Sequence, residues 1–214
     1  MMLTSPLYAD HIPVPEAGRP APGGQRISIL MPPGQYTVRL TVDGETHEES
    51  LTVVKDPHSA GTEADIAAQV EFLRSSREDV VTAGEAVERV EAIRVQLETI
   101  LRFAEDEDVT DAIEALQVKL IDLQMNMVDL RLTGQGQDGV RFGATLLQKL
   151  GYVTGGLSVA DFRPTDQETE VQGLLHTDLL EHLAELEALI ETDVAQLNQM
   201  LRGLGMLIIT DDGP

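Results

Sequence analysis

Cysteine is absent from all 214 residues, so disulfides, thiolate metal sites and thiol nucleophiles are excluded. Tryptophan is absent too, and four Phe with three Tyr make up the whole aromatic content. A core must then be built from Leu, Ile, Val, Ala and Met, which suits helix-on-helix packing better than a β-sandwich. Cations are scarce: Lys+Arg number 15 against 37 Asp+Glu, a formal net charge of −22. So acidic a surface repels phosphate backbones and anionic lipid headgroups, and neither nucleic acid nor a membrane is expected as a partner. The acidity reads either as a solvating coat or as a face for a basic partner or cations. No apolar run approaches the ~18 residues that span a bilayer. Met1 to Pro15 lacks a basic segment followed by an apolar stretch, so no secretory signal is expected there. The compartment stays open.

What is present falls into three parts. Residues 1–25, with Pro6, Pro13, Pro15, Pro20 and Pro22, are expected to form an extended connector. Residues 26–54 carry a β pattern. Arg26 to Leu30 alternates, Met31-Pro32-Pro33-Gly34 turns, and Gln35 to Val42 alternates again. Tyr36, Val38, Leu40 and Val42 then share one face, with Thr37, Arg39 and Thr41 on the other. Asp43-Gly44 is a two-residue hairpin signal, since both positions of a type I′ turn need positive φ. The return strand is expected at about Thr46 to Val54, with Leu51 and Val53 facing inward. Three strands are too few for a closed sandwich, so the sheet is expected to be incomplete or covered by helices.

Residues 62–205 carry helical periodicity. A first helix is expected over 63–104, capped by Thr62, with Ile66, Val70, Leu73, Val80, Val87, Val90, Leu97, Ile100 and Leu101 on its apolar stripe. Gly84 inside it marks a close packing point or a bend. A second, over 111–132 and capped by Thr110, places Ile113, Leu116, Leu120, Leu123, Met127 and Leu130 at alternating steps of three and four. The glycine-rich stretch 133–139 ends it. A short helix over 141–153 carries Leu146, Leu147 and Leu150. The last, over 166–204, opens with the capping box Thr165-Asp166-Gln167-Glu168 and runs from Leu175 to Leu204 before Gly205 stops it. The fold class expected is α+β, mainly α: a short antiparallel sheet followed by an antiparallel helical bundle.

Chemistry-bearing patterns are few. Of His11, His47, His58, His176 and His182, only the last two share a helix, and six residues place them ~120° apart around it. Zinc pairs want i, i+4 spacing, so solvent-facing histidines are expected and no metal site is assigned. Asp106, Asp108 and Asp111 lack the glycine and terminal Glu of a calcium loop and read as helix-capping or solvated groups. Carboxylates in general are expected on the polar sides of helices or in one loop. Gly134-Gln135-Gly136 follows a helix and precedes no Lys-Ser/Thr pair, so it reads as a turn rather than a phosphate cradle. No serine lies in a G-x-S-x-G context. Met125, Met127, Met200 and Met206 read as adaptable core filler. No catalytic residue, cofactor-binding residue or cofactor is assigned.

Four stretches, in order, are Pro32 to Gly44, Lys55 to Ile66, Leu130 to Asp138 and Asp161 to Gln167. Together they resemble the C-terminal region of bacterial BNR/Asp-box repeat proteins, the sialidase-like glycosyl hydrolase group related to sortilin-type β-propellers. In that family the chemistry is attributed to the propeller. This chain has no blade repeats and no Asp-box, so no family catalytic residue has a position here. Phe142-Gly143 stands where the resemblance leads one to expect Trp-Pro. The resemblance implies a non-catalytic structural or interaction module, an Ig-like β segment plus a helical bundle. It also implies a protein partner, either a propeller-bearing chain or a second copy joined through the sheet edge and N-terminal segment. Two other classes stay open: an independent acidic coiled-coil adaptor or holdase-like chaperone, and a glycoside hydrolase, which needs two carboxylates ~5–10 Å apart in a pocket.

Overall fold

The computed structural model describes residues 27, 29–131, 138–157 and 161–210, with the backbone alone for 138 and 139. The expected connector over 1–25 and the Gly134-Gln135-Gly136 turn lie outside the described residues.

The architecture is α+β, mainly α. Strands β1 (Gly34–Val42) and β2 (Glu45–Val53) form a two-stranded antiparallel sheet. Its register runs from Gly34↔Val53 to Val42↔Glu45, which places Tyr36, Val38, Leu40 and Val42 on one face. Asp43 and Gly44 both take positive φ, 51° and 86°, as a type I′ turn requires. Among the described residues the expected third strand is not formed. Ile27, Ile29 and Leu30 run as irregular chain, and Ile27 and Ile29 pack on Phe72 and Leu73 instead. Side-chain burial on a helix outweighs their alternating pattern.

Helix α1 (Glu63–Leu101) follows, 39 residues and so ~58 Å long at 1.5 Å per residue. Its start is fixed by a reciprocal box: the Asp65 amide donates to Thr62 Oγ1 at 3.1 Å, and Thr62 N donates to Asp65 Oδ2 at 3.0 Å. α2 (Glu107–Met127) is capped by Asp106, which accepts from the Val109 amide at 3.1 Å. Thr110, expected as the cap, lies inside the helix and bonds back to the Asp106 carbonyl. A carboxylate earlier in the acidic run satisfies the amide sooner, so the helix begins four residues before 111. It also ends earlier than expected, because Val128 is extended (φ −144°, ψ 127°); Leu130 is core-buried from the segment beyond.

The short α3 (Asp138–Arg141) and α4 (Leu146–Gly155) lead to α5 (Asp166–Leu189), which opens with the Thr165/Glu168 box. A π-helical turn over Ile190–Val194 joins α5 to α6 (Ala195–Gly203). Leu186, Ile190 and Val194 are four apart, and each such step runs ~40° ahead of one turn. The wider π turn absorbs that drift, and Val194 and Leu197 return to the core. Gly205 (φ 68°) then ends the helix in a Schellman pattern, with Met206 N bonded to Leu201 O at 2.9 Å and Gly205 N to Arg202 O at 3.1 Å. Leu204, expected on the core stripe, is exposed because the helix has already unwound there.

The helices share one core running from Ala83 to Ile100 on α1 through Ile113 to Met127 on α2, Leu146 to Leu150 on α4, and Leu175 to Leu201 on the last helices. Met127 is fully buried, while Met125, Met200 and Met206 pack on its rim. Gly84 lies buried beside Ala83 and Ala86 in an unbroken helix, so it serves close packing. Neither strand packs substantially on a helix.

Candidate functional site

Three polar clusters sit among the helices. Glu91 and Arg94 are i, i+3 neighbours on α1 with 0% and 1% side-chain exposure. Arg94 Nη1 donates to Glu91 Oε1 at 3.0 Å and to Gln124 Oε1 of α2 at 2.7 Å, and the Gln124 amide donates to Glu91. Burial pushes the guanidinium pKa down, while the charges of Glu91 and Glu98 oppose the shift. The group is sealed between α1 and α2.

The second cluster joins α1 to α5. Buried Asp79 meets His176 Nδ1 at 2.8 Å and accepts from Gln172 Nε2 at 2.9 Å. His176 is exposed, as expected, although one of its ring nitrogens meets this buried carboxylate. His47 and His58 are exposed and His182 is half-buried; His11 lies outside the described residues. The third cluster is local. Asp129 accepts from the Arg131 amide, Nε and Nη2 at 3.0, 2.9 and 2.7 Å, and these hydrogen bonds hold its carboxyl below the usual range. The Arg131 guanidinium lies 4.5 Å over the Phe142 ring, a cation–π contact.

Asp79 and Glu91 therefore correct the expectation that carboxylates lie on the polar sides of helices or in one loop, and Asp129 is buried just beyond the end of α2. α1 is wrapped by α2, α4 and α5 and buries a broad face. The signal was present in the sequence. Asp79 stands seven residues from Phe72 and Ala86, and Arg94 seven from Val87 and Leu101, so both occupy core rows. Among the described residues, no group of three or more His, Asp or Glu has metal-holding geometry. Nor is any helix there long and apolar enough to cross a membrane.

Two concavities open on the surface. One of about 620 Å³ lies where the sheet meets α1, lined by Met31, Val53, Lys55, Asp56, Ile66 and Asp161 among others. Its lysine is occupied, Nζ donating to Ser59 O at 2.6 Å and to Asp56 O at 3.1 Å. The other, about 420 Å³, is lined by Phe142, Gln148, Lys149, Tyr152, Val171 and Leu175.

The hairpin carries an exposed apolar row on one face. Its polar face is satisfied across the strands: Arg39 Nε bonds Glu48 at 2.6 Å, Thr52 bonds Gln35 at 3.1 Å, and the Thr41 and Thr46 hydroxyls meet at 3.3 Å. The opposite face is bare. Val38, Leu40, Val42 and Leu51 are 51, 58, 50 and 47% exposed, so the inward orientation expected for Leu51 is corrected. A hairpin with one face uncovered is marginal in water by itself.

No family model, no curated protein and no solved structure matches this chain.

The two rows of the hairpin's open face differ in chemistry. Its apolar side chains stand in one row on β1, while the facing row on β2 carries Glu45, His47 and Glu49 below Leu51.

Proposed function

We propose that this chain is a non-catalytic structural and protein-interaction module, in which a helical bundle holds out a β-hairpin as a docking element for a protein partner. The observation that carries this reading is the contrast between a helical core closed on itself and a hairpin whose apolar face is about half exposed. Resemblance to the C-terminal region of sialidase-like propeller proteins supports the same reading, and offers a propeller-bearing chain or a second copy as the partner.

A photoreactive residue placed at Leu40 tests it in the cells that make the protein. Adducts to a defined protein, absent when the probe sits at exposed Val118, are expected. Equal labelling at both positions would count against a docking role for the hairpin. The apolar groove beneath Phe142 and Tyr152 favours a second reading, an acidic adaptor or holdase that grips apolar segments. Suppression of client aggregation that survives Val38→Lys and fails in Tyr152→Asp would support it.

A further inference from the structure

We infer that the hairpin's partner is a second copy of this chain, paired antiparallel through the outer edge of β1. This rests on the docking reading above and names its occupant.

Both strands of a two-stranded sheet are edges, and these two are chemically unlike. β1 (GQYTVRLTV) carries one charge, Arg39, already paired with Glu48. β2 (ETHEESLTV) carries Glu45, Glu48 and Glu49. Two β2 edges repel each other, whereas two β1 edges bring uncharged, β-favouring rows together. In a two-residue hairpin the pair flanking the turn, Val42 and Glu45, exchanges ladder hydrogen bonds, and such pairs alternate along the strands. Even-numbered residues of β1 therefore face β2, and Gln35, Thr37, Arg39 and Thr41 aim their amides and carbonyls outward. Among the described residues, no backbone hydrogen bond reaches that outer row.

A two-fold axis at Val38 uses these groups in full. It sets Val38 against its own copy, Tyr36 against Leu40, Thr37 against Arg39 and Gln35 against Thr41. No like charges meet, and the apolar rows of both chains join at the centre of a four-stranded sheet ordered β2-β1-β1-β2. The glutamates then line both outer edges, so growth stops at two copies instead of running on as an open stack. The overall charge of −22 opposes approach, so association strengthens as salt rises.

Sedimentation of the full chain from about 1 to 200 µM tests this, since an interface of this small class populates in that range. The mass is expected to climb from 23.3 kDa towards twice that value. Thr37→Pro removes one outward amide while leaving the β1–β2 ladder intact, and Val38→Lys sets two charges on the axis. Each is expected to weaken association at least ~10-fold, with helical circular dichroism and melting midpoint unchanged. A wild type that stays monomeric throughout, or a dimer undiminished in both variants, overturns the inference. A monomer whose Leu40 probe still captures a different protein in cells sinks the second-copy assignment and leaves the docking reading standing. A monomer with no hairpin adducts sinks both.

Discussion

Burying the Arg94 guanidinium against Glu91 and Gln124 removes two charges from water at the centre of the bundle, at a cost on the order of several kcal/mol per ion that their attraction and hydrogen bonds offset. Removing one partner strands the other. Glu91→Ala is expected to lose about 3–5 kcal/mol in urea unfolding. Replacing the group together by Glu91→Leu, Arg94→Met and Gln124→Leu is expected to be neutral or stabilising by about 1–4 kcal/mol. If the triple variant were as damaged as the single one, the cluster would be contributing net stability. At the surface, Asp65 works through its charge. The hydroxyl and amide of Thr62, with a hydrogen bond from Arg163, lower its pKa from 3.8 to about 2. A depressed carboxylate stabilises the fold above its unfolded pKa, and that contribution fades as pH falls through the folded value. The melting-point advantage of wild type over Asp65→Asn should therefore hold at neutral pH, shrink below about pH 4 and vanish near pH 2. An advantage that grew on acidification would contradict the sign. Close packing decides Gly61, where an added Cβ would lie 2.1 Å from the Asp161 carbonyl oxygen. Backbone cannot swing aside as a side chain can, so Gly61→Ala should lower the melting midpoint, whereas Gly173→Ala, facing open space, should not.

At the scale of elements, two of the three expected caps were legible, and Thr110 was displaced by Asp106. Thr62 and Thr165 start their helices as the sequence implies, because a cap depends on residues within one turn of itself. Elements decided by distant contacts were less legible. Arg26 to Leu30 alternates in sequence like a strand, yet Ile27 and Ile29 lie on α1, and nothing local in those residues announces Phe72 or Leu73. The chain beyond α6 illustrates the same point. Asn198 Nδ2 donates to Ile209 O at 2.9 Å and its Oδ1 accepts from Ile209 N at 2.7 Å. Gln96 clasps Thr210 in the same two-handed way, at 2.7 and 2.9 Å. Two side-chain amides thus replace a neighbouring strand and hold Ile209 in the core. Asn198→Ala should cost about 1–3 kcal/mol by leaving the Ile209 backbone without these partners. Amide exchange at Ile209 should accelerate in that variant while Leu120 keeps its rate.

Across the whole molecule, the helical bundle was readable because leucines at steps of three and four report a shared core directly. The polar interior was legible only in part: Asp79 and Arg94 stand seven residues from apolar neighbours, whereas Glu91 lies at the margin of the stripe on α1, which is wrapped on several sides. The candidate site was half legible: alternation placed Val38, Leu40 and Val42 on one face, and their exposure followed only once no helix was found to cover them. The central claim is that the bundle is complete without the hairpin, which is held out for docking. Native-state amide exchange of the full chain at low micromolar concentration tests it most directly. The ladder amides of Val38 and Leu40 should exchange by local opening with little dependence on denaturant, and those of Val90 and Leu120 only by global unfolding. A single exchange free energy shared by all four amides would contradict the account.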